Sequence, residues 1–200
     1  PEGGLRTRMD EHPTLTQTNR VADGSGDSAS VHENCHQRIR EGFRDDGRAM
    51  GVLVSNVAAL STFYPDGKDV EDPTVRRSQR IRLLAKIPTL AASAYRRSVG
   101  TPYVQPDPDL PYTSNFLSMM FRPAEGGYEV DPVLTRALDL LFVLHADHGQ
   151  NCSTTTARAV GSSHADPYVL LSAACSALSG PRHGGANEAE IGRASCRERV

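Results

Sequence analysis

Three aspartate–proline pairs in this chain are strong signals for the beginning of an α-helix: Asp72-Pro73, Asp131-Pro132 and Asp166-Pro167. Aspartate is a preferred N-cap residue, and proline at the first helical position loses nothing because that N–H has no partner within the helix. The sequence therefore predicts three helices that begin at these pairs. The first runs toward Gly100 and the third ends at Leu178.

The helices after Asp131 and Asp166 differ in their apolar pattern. In the helix after Asp131, apolar residues recur at spacings of three and four, with His145 on the same face, as in an amphipathic helix. These residues are Leu134, Ala137, Leu138 and Leu141. Residues 167–178 are apolar or small on nearly every side, which predicts burial all round.

Two further segments are predicted to be helical, and no segment shows the signals of a hairpin. Residues 49–63 are apolar enough for a strand or a helix, and their length favours a buried helix. Residues 112–121 form a short helix. Pro88 lies inside the helix after Asp72 and should kink it, because proline removes a backbone bond and clashes with the preceding turn. The predicted fold class is all-α.

Composition excludes several classes of function. Two hundred residues suffice for one core or for part of a larger domain. A net charge of −2 without a basic patch gives no indication of nucleic acid as a partner. No apolar run approaches the roughly 18–20 residues that span a bilayer, so no membrane is expected. The four cysteines are widely scattered, which favours a reduced, cytoplasmic compartment.

The chain divides into three parts by its sequence pattern. Residues 1–30 are polar, without sustained periodicity, and are expected to be loop or disorder. Residues 31–189 carry the helical segments. Residues 190–200 are interpreted as an artefact, because from Ile191 onward they read codon for codon as the translation of a common sequencing adapter. A natural basic tail is the disfavoured alternative.

Histidines close to one another allow a metal site as one interpretation. His145, His148 and Cys152 have spacings that share a helical face, and imidazole and thiolate are zinc ligands. A fourth ligand is not evident, so no metal is predicted. We instead expect His145 to be a core histidine satisfied by a backbone carbonyl, whereas His148 should face a cavity or solvent, because Gly149 ends the helix.

Two other groups attract attention. His183 is followed by two glycines, which would let the backbone approach a ligand closely, although such a segment is often only a loop. Tyr64, Arg82 and Lys86 would line a cationic pocket if they came together. A solvated helix face is the favoured interpretation of those three residues.

Several motifs, in order and with matching spacing, resemble the citrate synthase family and especially its bacterial branch. The central signature comprises His145-Ala-Asp-His148, Gln150-Asn151, Ser153-Thr154, Val160-Gly-Ser-Ser163, and Gly180-Pro-Arg-His183-Gly-Gly-Ala-Asn-Glu188. Upstream, the resembling segments are Val31-His-Glu-Asn34, Phe63-Tyr64, Arg82–Thr89 and Asn115–Phe121. The resemblance covers about residues 31–189.

The resemblance implies part of the large helical domain of a two-domain enzyme, with the small domain missing, that condenses oxaloacetate with acetyl-CoA. In such an enzyme His183 would be catalytic, donating a hydrogen bond to the acetyl carbonyl as it becomes an enol. His148, Asn151 and Ser153 would belong to the substrate-binding site, and Ser153 would also hold His183 in place. Acetyl-CoA is a co-substrate, and no other cofactor is expected. The enzyme would be a homodimer or homohexamer.

The resemblance also raises doubts about the activity of this chain. The family's second catalytic histidine and its aspartate base lie downstream of the matched segment, so the 200-residue chain is expected to be inactive. Gly149, His164 and Arg182 depart from the family pattern, and Arg182 would perturb the packing or neutrality of His183. Tyr64, Arg82 and Lys86 resemble part of an NADH pocket. The alternatives are a 2-methylcitrate synthase using propionyl-CoA and a non-catalytic, dicarboxylate-binding helical fragment.

Overall fold

The computed structural model describes residues 41–44, 47–146 and 149–186, and these residues contain helices, turns and no β-strand. The all-α prediction is therefore confirmed for this part of the chain. The helices are α1 (Ala49–Phe63), α2 (Pro73–Ser98), α3 (Tyr112–Phe121), α4 (Pro132–Ala146), α5 (Cys152–Gly161) and α6 (Pro167–Leu178), with a 3₁₀ turn at Pro65–Lys68 between α1 and α2. None of the described helices combines the length and apolarity needed to cross a membrane.

Asp72-Pro73, Asp131-Pro132 and Asp166-Pro167 each begin a helix, as predicted. The Asp72 side chain accepts hydrogen bonds from the backbone N–H groups of Thr74 and Val75 at 2.7 and 3.4 Å. Asp131 accepts equivalent bonds in α4 and Asp166 in α6. A cap of this kind stabilises a helix by about 1 kcal/mol, since it satisfies N–H groups that have no partner in the first turn.

The core lies where α1, α2 and α6 meet. It is formed by buried side chains of all three helices, namely Val52, Val57, Leu60, Leu83, Leu90, Ala94 and Tyr168. Residues 49–63 form a helix, as their length indicated, but only one face of it is buried, and Gly51 and Ser55 are exposed. Pro88 is buried within α2, which continues through it from Pro73 to Ser98. The kink expected at Pro88 stays a prediction.

Two predictions of burial are wrong, that of His145 in α4 as a core histidine and that of α6 on nearly every side. No residue of α4 is buried, and Val133 and Leu144 are 73% and 69% exposed, because α4 packs mainly against α3 in the described structure. His145 is exposed as well, so it is not a core histidine. Helix α6 is buried on one side only, with Val169 41% exposed, because α1 and α5 cover part of its circumference.

Arg96 is a buried cation that closes the C-terminal end of α3. Only 3% of it is exposed, and its guanidinium donates to the carbonyl oxygens of Pro102, Met120 and Arg122. The last two carbonyls lie at the end of α3, where the helix dipole is negative and carbonyls have no partner within the helix. Arg96 thereby joins α2, α3 and the segment between them.

Replacing Arg96 should destabilise the protein strongly. We expect Arg96→Ala to lower the free energy of unfolding by about 3 kcal/mol, because a buried guanidinium and the partly buried carbonyls that it binds lose their mutual hydrogen bonds. Arg96→Lys should recover part of this loss. Urea unfolding followed by circular dichroism measures the change, with Arg77→Ala, an exposed arginine of the same helix, as the control. Equal stability of the Arg96→Ala and Arg77→Ala variants would contradict the assignment.

Candidate active site

The candidate site is built where α5 begins and where the chain turns back after α6. Asn151 caps α5, accepting a hydrogen bond from the backbone N–H of Thr154 at 2.9 Å. This cap places Ser153 in the first turn of α5, facing α6. The chain leaves α6 at Leu178, turns through Gly180, and brings His183 back against the same face of α5.

Ser153 joins these two segments through its hydroxyl. Its Oγ lies 2.9 Å from His183 Nε2 and 3.0 Å from the carbonyl oxygen of Ala174 in α6. Both side chains are half-buried. The structure thus brings together two of the four predicted site residues, and it adds a backbone carbonyl that the sequence did not reveal, since an alanine in an apolar helix gives no signal of such a contact.

The single hydroxyl hydrogen of Ser153 links its contacts to the protonation of His183. If Ser153 donates to Nε2, a neutral imidazole must carry its proton on Nδ1. If Ser153 donates to Ala174, the imidazole must carry a proton on Nε2, which donates to Ser153. The serine is therefore placed to select which nitrogen of His183 acts as a hydrogen-bond donor.

The glycines after His183 are required by packing inside the protein. A Cβ on Gly184 would lie 2.5 Å from the carbonyl oxygen of Leu178, and one on Gly185 would lie 2.9 Å from that of Gly180. The sequence-based explanation, close approach of the backbone to a ligand, misses this contact. The two glycines let the turn fold tightly onto the end of α6, and this fixes the position of His183.

The structure gives less information on the other two predicted site residues, His148 and Asn151. His148 lies outside the described residues. The Asn151 Oδ1 atom is engaged as the helix cap, and its amide nitrogen is the group that would donate to a carboxylate. His145 has its Nδ1 2.8 Å from the Leu141 carbonyl, the predicted backbone partner. Gly149 has a positive φ of 57°, a conformation that favours glycine and suits a helix end.

A metal site finds no support in the described part of the chain. Within residues 41–44, 47–146 and 149–186, no group of three or more histidine, cysteine or acidic side chains is arranged to hold an ion. Cys152 and Cys175 are free thiols, and burial raises the pKa of the Cys175 thiol. Arg182, expected to perturb His183, is exposed.

The prediction that Tyr64, Arg82 and Lys86 lie on a solvated helix face is wrong. The Arg82 guanidinium carbon lies 4.2 Å from the centre of the Tyr64 ring and the Lys86 amine 5.7 Å from it. Lys86 is only 3% exposed. The ring's negative face stabilises both cations. These residues therefore form a cationic cluster, packed into the core by stacking of Tyr64 on Tyr168 at 5.5 Å.

Hydrogen bonds complete the cationic cluster. Arg82 donates to Gln79 at 2.9 Å and to Asp66 at 3.3 Å, and the Tyr168 hydroxyl donates to Gln79. Burial raises the pKa of Tyr168 to about 12, although the nearby Arg82 opposes this shift. Hydrogen bonds from Gln79 and Arg82, with the charge of Arg82, hold the pKa of Asp66 below its usual value despite partial burial.

A cavity of about 720 Å³ opens beside the N-terminal half of α6, away from His183. Its floor is mostly apolar, with Val75, Leu83 and Leu170 among the lining residues. His164 borders it with a positive φ of 59°, and its Nδ1 lies 3.4 Å from the Glu71 carboxylate. Of the three residues that depart from the family pattern, only His164 lines this cavity.

The packing of Gly184 leads to a direct prediction. Gly184→Ala should force the turn away from α6, lowering stability by about 2 kcal/mol and displacing His183 from Ser153. Thermal unfolding and the histidine NMR signals of the full-length protein measure both effects. Gly127→Ala is the matched control, because a Cβ there meets nothing within 4 Å. Unchanged His183 signals in Gly184→Ala would refute this role of the glycine.

Comparison with known proteins relates this chain to the citrate synthase family. Residues 8–192 match the family described as citrate synthase, C-terminal domain. A citrate synthase from Dictyostelium discoideum is 47% identical over 168 residues, covering 80% of this chain and 33% of that protein. The matched range includes most of residues 1–30, which the motifs left unmatched. The proposed divisions at residues 31 and 190 stay predictions.

Solved structures agree in fold. The crystal structure of citrate synthase from Pyrobaculum aerophilum superposes with a TM-score of 0.73 at 33% identity, covering 87% of this chain and 42% of that one. The structure of a citrate synthase from Thermoplasma acidophilum, in a ternary complex with carboxymethyl coenzyme A and oxaloacetate, has a TM-score of 0.73 at 22% identity and covers 89% and 43%. The chain thus spans between a third and less than half of the length of these relatives.

Proposed function

This chain belongs to the citrate synthase family, and from that premise we propose that the full-length protein is a citrate synthase. It would condense oxaloacetate with acetyl-CoA and water to give citrate and CoA, acting as an acyltransferase in the tricarboxylic acid cycle. The proposal concerns the full-length protein, because this chain spans only a third of the Dictyostelium relative.

The contact between Ser153 and His183 is the observation that carries the proposal. Removing a proton from the acetyl methyl group moves negative charge onto the thioester carbonyl oxygen, and a fixed N–H donor stabilises that charge. His183 supplies such a donor from Nδ1 when Ser153 donates to Nε2. Ser153 lies at 2.9 Å from Nε2, the distance that this arrangement needs.

Oxaloacetate would be held next to His183 by the segment that precedes α5. His148 as a cation and the amide nitrogen of Asn151 both suit a dicarboxylate, because charge-assisted bonds to carboxylates are strong. Asn151 would bind oxaloacetate, and Ser153, two residues later at the same helix end, would hold the histidine that binds the acetyl group. The two substrates would therefore lie close together. The Thermoplasma relative, which has the same fold, was solved as a ternary complex with oxaloacetate and carboxymethyl coenzyme A.

Further features of the full-length enzyme follow from the same proposal. We expect a homodimer or homohexamer, and the exposed apolar side chains Val169 and Leu178 of α6 are suited to further packing. A cytoplasmic location agrees with the free thiols of Cys152 and Cys175. The cationic cluster of Tyr64, Arg82 and Lys86 would belong to an NADH site.

The activity is tested by measuring release of CoA from acetyl-CoA and oxaloacetate with the purified full-length protein. We expect turnover that falls by about a thousandfold in His183→Ala, because the donor to the enolate oxygen is lost. Propionyl-CoA is assayed in parallel. Faster turnover with propionyl-CoA would make the protein a 2-methylcitrate synthase, and oxaloacetate binding without turnover of either thioester would leave a non-catalytic binding protein.

Ser153→Ala tests the proposed selection of the His183 tautomer. We expect kcat to fall by roughly tenfold to a hundredfold, because the imidazole loses the partner that directs its N–H toward substrate. The KM for oxaloacetate should change less than about twofold, since this serine does not hold the dicarboxylate. Ser162→Ala is the control, because that hydroxyl donates only to Ala159 within α5. An unchanged kcat in Ser153→Ala would exclude this role.

A further inference from the structure

Helix α4 presents a broad apolar face to solvent in the described part of the chain. Val133 at its beginning is 73% exposed, and Leu144 near its end is 69% exposed. We call this surface the α4 face, and its members are Val133, Leu134, Ala137, Leu140, Leu141 and Leu144. It is about 16 Å long at the rise of an α-helix. Folded monomers rarely expose contiguous apolar patches larger than a few hundred Å², so the α4 face marks an interaction surface.

The α4 face lies on the side of the helix that turns away from α3. On the other side, Asp139 accepts a hydrogen bond from Thr113, and the ring of Phe142 lies 6.2 Å from that of Tyr112. Successive helical residues are rotated by about 100°, so the α4 face spans an arc of about 120°. A stripe of this width is what a helix normally turns toward a core. Helix α3 therefore covers one side of α4 and leaves a stripe of core width open.

The spacing along the α4 face suits a second helix. Its central residues follow one another at intervals of four, three and four, at Val133, Ala137, Leu140 and Leu144. Ala137 is small and stands among larger aliphatic residues, so it leaves a hole into which a large side chain of another helix can pack. The partner that fits is an amphipathic helix with an aliphatic stripe of its own.

A lipid surface does not fit the α4 face. A helix that lies on a membrane carries lysine and arginine residues on its polar side, where they meet the lipid headgroups. Arg136 is the only lysine or arginine of α4, and the polar side of the helix is engaged with α3. The occupant is therefore protein.

The lengths of the relatives indicate where the partner helix comes from. This chain covers 42% and 43% of the two solved citrate synthases whose fold it shares. More than half of each relative thus lies outside the matched region. A helix from that part of the same molecule would be tethered near α4 at a high effective concentration, whereas a second copy would have to be recruited from solution.

We propose that the α4 face is an intramolecular docking surface for an amphipathic helix of the full-length protein that lies outside these 200 residues. The docked helix would connect the rest of the enzyme to α4, which leads into the candidate active site at Asn151. This proposal rests on the proposed function in one respect, namely that the full-length protein extends beyond this chain.

Thiol labelling of the folded full-length protein tests whether the α4 face is covered. Leu144→Cys and Val133→Cys place a thiol at either end of the face, and Glu125→Cys is the matched control in the exposed loop before α4. We expect both face thiols to be alkylated at least about tenfold more slowly than the control, because a docked helix excludes the reagent. Urea unfolding should make the three rates equal. Native rates equal to that of the control at both positions would overturn the proposal.

Photochemical cross-linking of the full-length protein tests the choice of occupant. Leu144→p-benzoylphenylalanine places a photoreactive group at the end of the α4 face, and Val133→p-benzoylphenylalanine is the second variant, at the other end. We expect a product with the mass of one chain on a denaturing gel, cross-linked to a peptide outside these 200 residues. A product of twice that mass would assign the face to a second copy, and a cross-link to residues 1–40 would assign it to this chain. Either outcome, or the absence of any cross-link in both variants, would overturn the proposal.

Neither measurement depends on turnover, which keeps this proposal distinct from the proposed function. A protein that releases no CoA and yet protects both face thiols would overturn only the proposed function. A protein that releases CoA with both face thiols freely reactive would overturn only the docking surface.

Discussion

The packing of α6 against α1 and α5 is the constraint on which both the core and the candidate site depend. At its N-terminal end, α6 buries Tyr168 completely, which closes the core against Tyr64 and Gln79. At its C-terminal end, the same helix supplies the carbonyl that binds Ser153 and the surface on which the Gly184 turn rests. Twelve residues thus connect the stability of the domain to the position of His183.

The helices were predictable because their signals are local. A capping aspartate followed by proline, as at Asp166-Pro167, works through atoms within one helical turn, so the sequence alone contains the cause. Burial was less predictable, because it depends on which surfaces meet. The apolar residues of α4 share the pattern of a core helix, yet Val133 and Leu144 stay exposed. A helical period shows which face is apolar and leaves open what covers it.

The candidate site shows the same contrast between what the sequence makes predictable and what depends on tertiary contacts. His183 and Ser153 were predicted from a resemblance of motifs, and the structure brings them within 2.9 Å of each other. The Ala174 carbonyl was not predictable, because a backbone acceptor leaves no mark on residue identity. The burial of Lys86 was not predictable for a related reason. A lysine is usually solvated, and only the tertiary position of Tyr64 supplies the aromatic face that stabilises it.

The two ends of α6 differ in the groups that surround them. The cations Arg82 and Lys86 lie with Tyr168, near the N-terminal end, where they are paired with Asp66 or a ring face. His183 lies beside the C-terminal half of α6, where Ser153 contacts both its Nε2 and the Ala174 carbonyl. Ser153 is the neighbour of His183 whose hydroxyl can donate either to the imidazole or to a backbone carbonyl, and this choice selects the imidazole nitrogen that can act as a donor.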